Sequence, residues 1–597
     1  MRWIRHFAFT LALALPGARP VAAQAPADAA KQIAADAVLA AMNAEMERAR
    51  GLRLVSLEDD VYFIQYAVDD TENFSVRATL GAVVSRGRAR MRVPRIDLRV
   101  GSYDFDNTNY VYSDFFARRG MIGQPPLDDD PYALRVYFWL ATDRVFKGAM
   151  AAIARKRAAL QNVTQREELP DFSRAEPVAL IEPRRREEVS EDEWTDRVRR
   201  LSALFARYPA VKQSQVRFES IQATVYLMNS EGTVARYPEI LHFVEFRGEG
   251  QAPDGMLLRD AGVIEALRIA DLPPPAELEQ AVEETARRIQ ELAAAPVGEA
   301  YVGPALFEGD AAPQLFAQLL GENLGLTRRP VPEPGRSVDF RDSELAGRLG
   351  ARVLPEWMDV FDDPTLEEWE GRPLLGHYRL DLEGVRPRPL QVVEKGILKA
   401  FLLTRQPVRN FTGSNGRARL PGRYGANTPK FSNLIIEARE TVTVEELRRR
   451  LIELCRERGK DYGIVVRKLD FPSSASGDEI HRSSRRRREQ GGGRLFSSPI
   501  AVYRLYADGR EELVRGLEFR DVSARLLRDI LAASGERRAF HFLGSTAPMS
   551  LIGAGGYVVP MSVVAPAVLV EDVELAPVER DWPTLPVVPP PPSETVD

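Results

Sequence analysis

The chain has 597 residues, with 81 Lys and Arg against 86 Asp and Glu, a net charge of −5 and a single cysteine. Such a length exceeds one simple core and predicts two or three domains. The slight acidic balance argues against nucleic acid or an anionic membrane as partner, and one cysteine excludes an intrachain disulfide.

In chain order, Arg2 and Arg5 precede the apolar run Phe7–Leu15, which Pro16 and Gly17 break. Small residues follow at Val21-Ala22-Ala23 or Ala23-Gln24-Ala25. This is the pattern of a secretory signal peptide, residues 1–23, and it predicts a secreted or periplasmic bacterial protein of the Sec type. A membrane anchor is the alternative reading, but a helical run of that length reaches only ~14 Å. No later segment is long and apolar enough to span, so no membrane span is expected after cleavage.

Ala25 to about Arg48 is Ala-rich and predicted helical, and alternation in VYFIQYAV and MRVPRIDLRV predicts strands between Leu52 and Val100. A long helix is predicted over Ala133–Gln161, with Phe146, Met150, Ile153 and Leu160 on one face. A second is predicted near Trp194–Arg207, beyond the charged stretch Glu167–Glu193. Ser214–Arg247 reads as a hairpin reversing at Asn229-Ser230-Glu231-Gly232. A Pro-bounded helix then ends near Pro296, the expected domain boundary.

The strand EAYVGPALF leads into FEGDAAPQLFAQLLGENLGL, Phe307–Leu326, which reads as an amphipathic helix. Asp310 is its expected N-cap, and Leu315, Phe316, Leu319 and Leu320 form an apolar face. Further on, TVEELRRRLIELCRERG predicts a helix that Thr443 caps and Gly459 stops. Leu447, Leu451, Leu454 and Cys455 share its buried face, so Cys455 is read as a packed thiol. The tail LPVVPPPPSETVD is expected to be extended polyproline-like chain. Helices and hairpins come in blocks, which predicts an α+β fold. The expected divisions are an N-terminal α+β region at 24–165, a central one at 166–297, a mostly β C-terminal domain at 298–577 and a Pro-rich tail at 578–597.

Gly384, Gly396 and Gly413 are expected to permit positive φ, and Asn415-Gly416 suits a two-residue reversal. Arg417 and Arg419 beside it are read as surface residues, or as binders of a peptide carboxylate or a partner's acidic residue. His242, His377, His481 and His541 follow the signal, none within helical reach of another His or of Cys455, so no local zinc pair exists. Glu308, Asp310 and Glu322 would suit a hard cation, but capping and exposure explain them. Asp104–Tyr110 lacks the glycine and terminal glutamate of an EF-hand and reads as an Asx-turn cluster. Arg485–Arg488 reads as a solvated loop, with an electrostatic contact to an acidic partner as the alternative. Neither a Walker-type phosphate loop nor a G-x-S-x-G elbow is present.

Asp381-x-Glu383-Gly384, the strand-turn-strand VVEKGILKAFLL and Thr412-Gly413-x-Asn415-Gly416-Arg417 occur in that order, followed by TPKFSNLIIEA and YRLYADGREELVRGLEF. Together they resemble the TldD/PmbA family, once called modulators of DNA gyrase, from about Ser214 to Leu575. Peptidases of that family carry an HExxxH motif on a helix at the place of Phe307–Leu326. Two histidines and a distant cysteine hold zinc there, and the glutamate activates the metal-bound water.

Laid on this helix by its leucines and Gly321, the histidine places fall on Ala317 and Glu322 and the glutamate place on Gln318. Ile552 is the counterpart of the cysteine. The resemblance therefore implies a TldE-like (PmbA-like) member without zinc ligands or general base, with no cofactor expected. Such a subunit binds peptide and pairs with a motif-bearing TldD-like metallopeptidase, or with itself. Thr412, Gly413, Asn415 and Arg417 are its candidate substrate- or partner-binding residues. The alternatives are an active zinc metallopeptidase recruiting His541, Glu322 or Glu308, and a homo-oligomeric peptide-binding protein. The old name carries no nucleic-acid partner with it.

Overall fold

A computed structural model describes residues 26–52, 60–112, 123–161, 168–338, 340–422, 425–474, 482, 496–545, 558–586 and 588. The predicted signal peptide, His481, Arg485–Arg488, Ile552 and half of the Pro-rich tail lie outside these residues. The fold is α+β, built on two sheets. No helix among the described residues is long and apolar enough to cross a membrane.

Helices α1 (Pro26–Ala35) and α2 (Ala37–Ala49) open the chain, with Asp36 capping α2 through hydrogen bonds from the Val38 and Leu39 amides. Strands β1 (Val61–Thr79) and β2 (Ala82–Val100) form a long hairpin. Its two-residue turn holds Leu80 and Gly81 both at positive φ, which matches the twist of the strands. Helix α3 (Pro131–Leu160) covers the long-helix prediction, and α4 (Glu191–Ala203) the next one. Between them lies the short strand β3 (Ala179–Ile181), and after them come β4 (Val211–Asn229), β5 (Val234–Gln251) and β6 (Leu257–Ala266). These six strands make one sheet, in which β1 pairs antiparallel with β4 across residue 165.

At the β4–β5 reversal Asn229 Oδ1 accepts the Glu231 and Thr233 amides, and Gly232 takes a left-handed φ, as the sequence predicts. Alternation then sorts the strands by face. Ile64, Tyr66 and Val68 pack under α2 and α3, and Phe74 and Val76 under α4 and α5 (Pro275–Ala294). Ile221, Leu241 and Phe243 point the other way, against Leu543 and Val558 of the second sheet.

That second sheet contains β7 (Tyr301–Phe307), β8 (Met358–Asp362), β9 (Leu390–Glu394), β10 (Ile397–Leu398), β11 (Asn433–Ala438), β12 (Tyr462–Leu469), β13 (Pro499–Tyr506), β14 (Glu511–Val514), β15 (Leu517–Arg520), β16 (Ile530–Ser545) and β17 (Val558–Pro577). The twenty-residue β17 lies at its centre, beside β7, β11, β15 and β16. One face is covered by α7 (Val444–Glu457), following α6 (Ala311–Phe316) in chain order. Thr443 caps α7 and Gly459 follows it at positive φ. Leu447, Leu451 and Cys455 are buried against Leu306, Val465 and Leu569, so the cysteine is a packed thiol. The helical segment that begins with α6 covers the other face.

Buried arginines tie the two halves together. Arg405 is fully buried, donates to the Ser173 carbonyl and Glu231, and stacks on Phe172. These ties fix the walls of the space between the sheets.

Candidate functional site

The segment after β7 is held on all sides rather than on one face. Ala311, Ala312, Leu315, Phe316, Ala317, Leu320 and Leu324 are all buried, so the amphipathic expectation gives way to a core helix. Asp310 does not cap it. Its backbone is itself helical, and its carboxylate turns outward to Arg538 at 2.5 Å. The middle turn, Ala317–Gly321, is π-helical, and the Glu322 amide closes onto the Ala317 carbonyl. An i→i+5 closure of this kind brings residues five apart toward one side of a helix, and such turns recur at functional sites. Here it spans the two positions that the resemblance lays on histidines. Gly321 also has a local reason, since an added Cβ would run into the Phe431 ring.

The polar groups of this segment are consumed within the protein. Gln314 Oε1 accepts the Leu469 amide and Gln318 Oε1 the Ser497 amide, both at 2.8 Å. Glu322 is paired with Lys430 at 2.5 Å. Burial would raise the Glu308 carboxyl, but hydrogen bonds from Arg448 and Arg467 bring it below the ordinary glutamate range. Zinc requires imidazole, thiolate or free carboxylate donors. A methyl group, an amide engaged with backbone and a carboxylate engaged with lysine do not fit it. Among the described residues no three His, Cys, Asp or Glu side chains are grouped to hold a metal. Asp104–Tyr110 is the expected Asx-turn: Asp106 Oδ1 accepts the Thr108 amide, and its other oxygen meets Arg99.

Arg417 departs from its surface reading. It is fully buried, paired with Asp362 at 2.6 Å and donating to the Asn415, Asp362 and Arg388 carbonyls. Asn415 is a clasp, accepting the Leu403 amide and donating to the Phe401 carbonyl, rather than half of a hairpin reversal. Gly384, Gly396 and Gly416 adopt positive φ, but Gly413 does not, and it lies exposed beside Thr412. The four candidate turn residues therefore do not converge on one site.

Arg419 does face one. Between the two sheets lies a cleft of about 710 Å³, within the ~300–1,000 Å³ of small-ligand sites. One wall comes from β4, β5 and β6, with Ile221, Ala223, Glu239 and Glu265. The other comes from the C-terminal half, with His377, Tyr378, Arg419, His541 and Val559.

Arg419 is placed by the Asp381-x-Glu383-Gly384 motif. Asp381 Oδ1 accepts the Glu383 and Val385 amides, and Oδ2 accepts the Ala418 amide. Glu383 in turn accepts the Arg405 amide and the Asn427 side chain. Burial and the nearby Glu383 push the Asp381 carboxyl up to about 7. The motif is thus a structural clasp one residue before Arg419.

The electrostatics of the cleft are unusual. Arg419 Nη1 donates to the Phe431 and Pro560 carbonyls, and the guanidinium lies 4.3 Å from the Tyr378 ring centre. Among the described residues, no carboxylate pairs with it. Burial, followed by the nearby Asp69, pushes Glu239 up to about 7, and burial pushes Glu265 up to about 8. Glu239 is nonetheless exposed to the open space of the cleft, where solvent screening lessens this push. His541 accepts from or donates to Ser562 at 2.9 Å, and burial lowers it to about 4, so it is neutral at ordinary pH. Glu239 and Glu265 were not singled out from sequence. The signal for Glu239 is a carboxylate between two buried residues of the same parity, Tyr237-x-Glu239-x-Leu241; Glu265 has no such flanks.

Residues 302–471 match the family model of the PmbA/TldA metallopeptidase C-terminal domain. This segment is a TldD/PmbA-family domain. An Archaeoglobus fulgidus metalloprotease is 35% identical to the chain over 115 residues, 19% of this chain and 24% of that protein. The chain spans less than half the length of the curated relatives it matches. Solved structures share the fold over most of the chain, two of them as follows. One is TldE from Thermococcus kodakarensis, at a TM-score of 0.52 and 15% identity, covering 90% of this chain and 100% of that one. The other is a Thermotoga maritima protein named as a candidate modulator of a DNA gyrase, at 0.52 and 16%, covering 92% and 100%. The TldD/PmbA-family domain supplies the Asp381 clasp, Arg419 and the helix with the π turn, all within the matched residues.

Proposed function

We propose that the chain is an exported, non-catalytic TldE-like subunit that binds peptide in the cleft and pairs with a motif-bearing metallopeptidase relative. One observation carries this reading: a π turn brings positions 317 and 322 toward one side of the helix, while the side chains there are a methyl group and a lysine-paired carboxylate. Gln318 cannot act as general base, because an amide oxygen has no useful basicity near neutral pH, and its oxygen holds the Ser497 amide. The likeness of the fold to TldE supports the same reading. Export rests on the basic and apolar N-terminus alone.

The test is zinc content and peptide cleavage by the purified chain, alone and mixed with a relative that carries an intact HExxxH. Expected are no stoichiometric zinc and no turnover alone, with turnover only in the mixture. Zinc and turnover in the lone chain would overturn the reading.

A further inference from the structure

We propose that the cleft recognises a zwitterion, its carboxylate seated on Arg419 and its ammonium directed to the wall bearing Glu239 and Glu265. On the reading above, that zwitterion is a short peptide with both ends free. The peptide supplies the source of the carboxylate, whereas the carboxylate itself follows from the cleft.

Arg419 is only 6% exposed, yet its sole hydrogen-bond partners among the described residues are two carbonyls, both reached through Nη1. Its Nε and Nη2 have no hydrogen-bond partner among the described residues and are not among the sealed, unpartnered atoms, and Arg419 lines the cleft. That edge of a guanidinium is a two-donor fork matched to a carboxylate, and the Tyr378 ring holds its plane. Arg417, two residues earlier and equally buried, shows what a structural arginine looks like here: Asp362 neutralises it at 2.6 Å. Asp362, which is paired with Arg417, and Glu239 act on Arg419 only through space, and a buried cation without a directly paired anion is costly, so that pairing anion is assigned to a ligand.

Across the cleft, Glu239 feels the charges of Arg95, Arg419 and Arg379 but forms an ion pair with none of them among the described residues, whereas no cation acts on Glu265, whose Oε1 is sealed without a hydrogen-bond partner. The lining holds five carboxylates against four arginines, so it offers no excess of positive charge to a polyanion such as a nucleotide, and Glu239 and Glu265 favour an amine. Ile221, Ala223, Ile264 and Val559 line the space between and suit small apolar side chains.

The experiment is calorimetric titration of the full chain with tetraalanine, tetraalanine amide, N-acetyl-tetraalanine and 6-aminohexanoate. Tetraalanine is expected to bind, and amidation to weaken it about 10- to 100-fold, the loss of a charge-assisted pair. N-acetylation and Glu265→Gln are expected to weaken it several-fold, and Arg419→Gln as much as amidation. Arg419-dependent binding of 6-aminohexanoate without binding of tetraalanine would uphold the zwitterion site and end the peptide reading. Equal binding of acid and amide, unchanged binding in folded Arg419→Gln, or no binding of any probe would overturn the site. Should Arg419→Gln fail to fold, the acid and amide comparison on the unmodified chain decides alone.

Discussion

The helical segment at 311–324 and the cleft around Arg419 share a residue and differ in the state of their polar groups. Phe431 closes its ring against Gly321 and offers its carbonyl to Arg419. On the helix side, Gln314, Gln318, Asn323 and Glu322 all have protein partners. On the cleft side, among the described residues, Arg419 has two carbonyls and a ring but no directly paired anion, and Glu239 and Glu265 have no ion-pair partner. Buried polar groups in folded proteins are almost always satisfied, so groups left open in a cavity mark where a ligand completes the structure. The helix reads as architecture and the cleft as the part still facing the outside.

The largest expected effect separates the two arginines. Arg417→Ala leaves Asp362 buried without its partner, and breaking such a pair costs about 3–5 kcal/mol. Chemical denaturation should show a lower midpoint with an unchanged slope. An Arg417→Ala protein of normal stability that had lost ligand binding would place Arg417 in the site and undo the contrast with Arg419. Next in size is Gly321→Ala. The new Cβ would meet the Phe431 ring, and overpacking of this kind costs about 1–3 kcal/mol. It should also disturb Arg419 through Phe431, so weakened binding of a carboxylate probe is expected along with the lower melting temperature.

Much of the local architecture was legible because its causes are local. The Asn229–Gly232 turn, the Thr443 cap and the buried face of α7 each depend on residues a few positions apart. Asp310 misled because capping needs an extended backbone at that residue, and β7 delivers the chain already helical with Arg538 waiting for the carboxylate. Arg417 misled because its partner Asp362 is 55 positions away, on a different strand. The cleft was the least readable part. Glu239, Glu265, His377, Arg419 and His541 come from separate strands and loops, and only the packing of one sheet on the other brings them together. A carboxylate at a buried parity is a readable cue, but it names no partner.

A smaller effect tests whether the cleft carboxyls are under strain. Glu265 is pushed up to about 8, above its ordinary value of 4.5, so the folded chain holds this proton more tightly than the unfolded chain. Between about pH 4.5 and 8 the folded state binds more protons, and stability falls as pH rises; the penalty is absent below that window and complete above it. Glu265→Gln removes it. The variant should be more stable than the parent by on the order of 2 kcal/mol at alkaline pH, allowing for relief by cleft water, and equal to it in acid. His541 acts with the opposite sign. Lowered to about 4, it costs stability as pH falls below 6.5. Equal gains for Glu265→Gln at pH 5 and pH 9 would mean that the carboxyl is not desolvated.

The smallest expected effect bears most directly on the helix. Glu322 is 43% exposed and its pair with Lys430 lies near the surface, where ion pairs contribute about 0–1 kcal/mol and weaken with salt. Glu322→Gln should therefore shift the melting temperature by a degree or two at low ionic strength and by nothing in concentrated salt. It should leave the metal content of the purified chain as it was, because the carboxylate is spent on lysine. The decisive pairing is with Lys430→Met, which frees the same carboxylate without removing it. If Lys430→Met gains bound zinc that Glu322→Gln abolishes, position 322 has kept a ligand role that Lys430 masks, and the helix would belong with the cleft rather than with the scaffold.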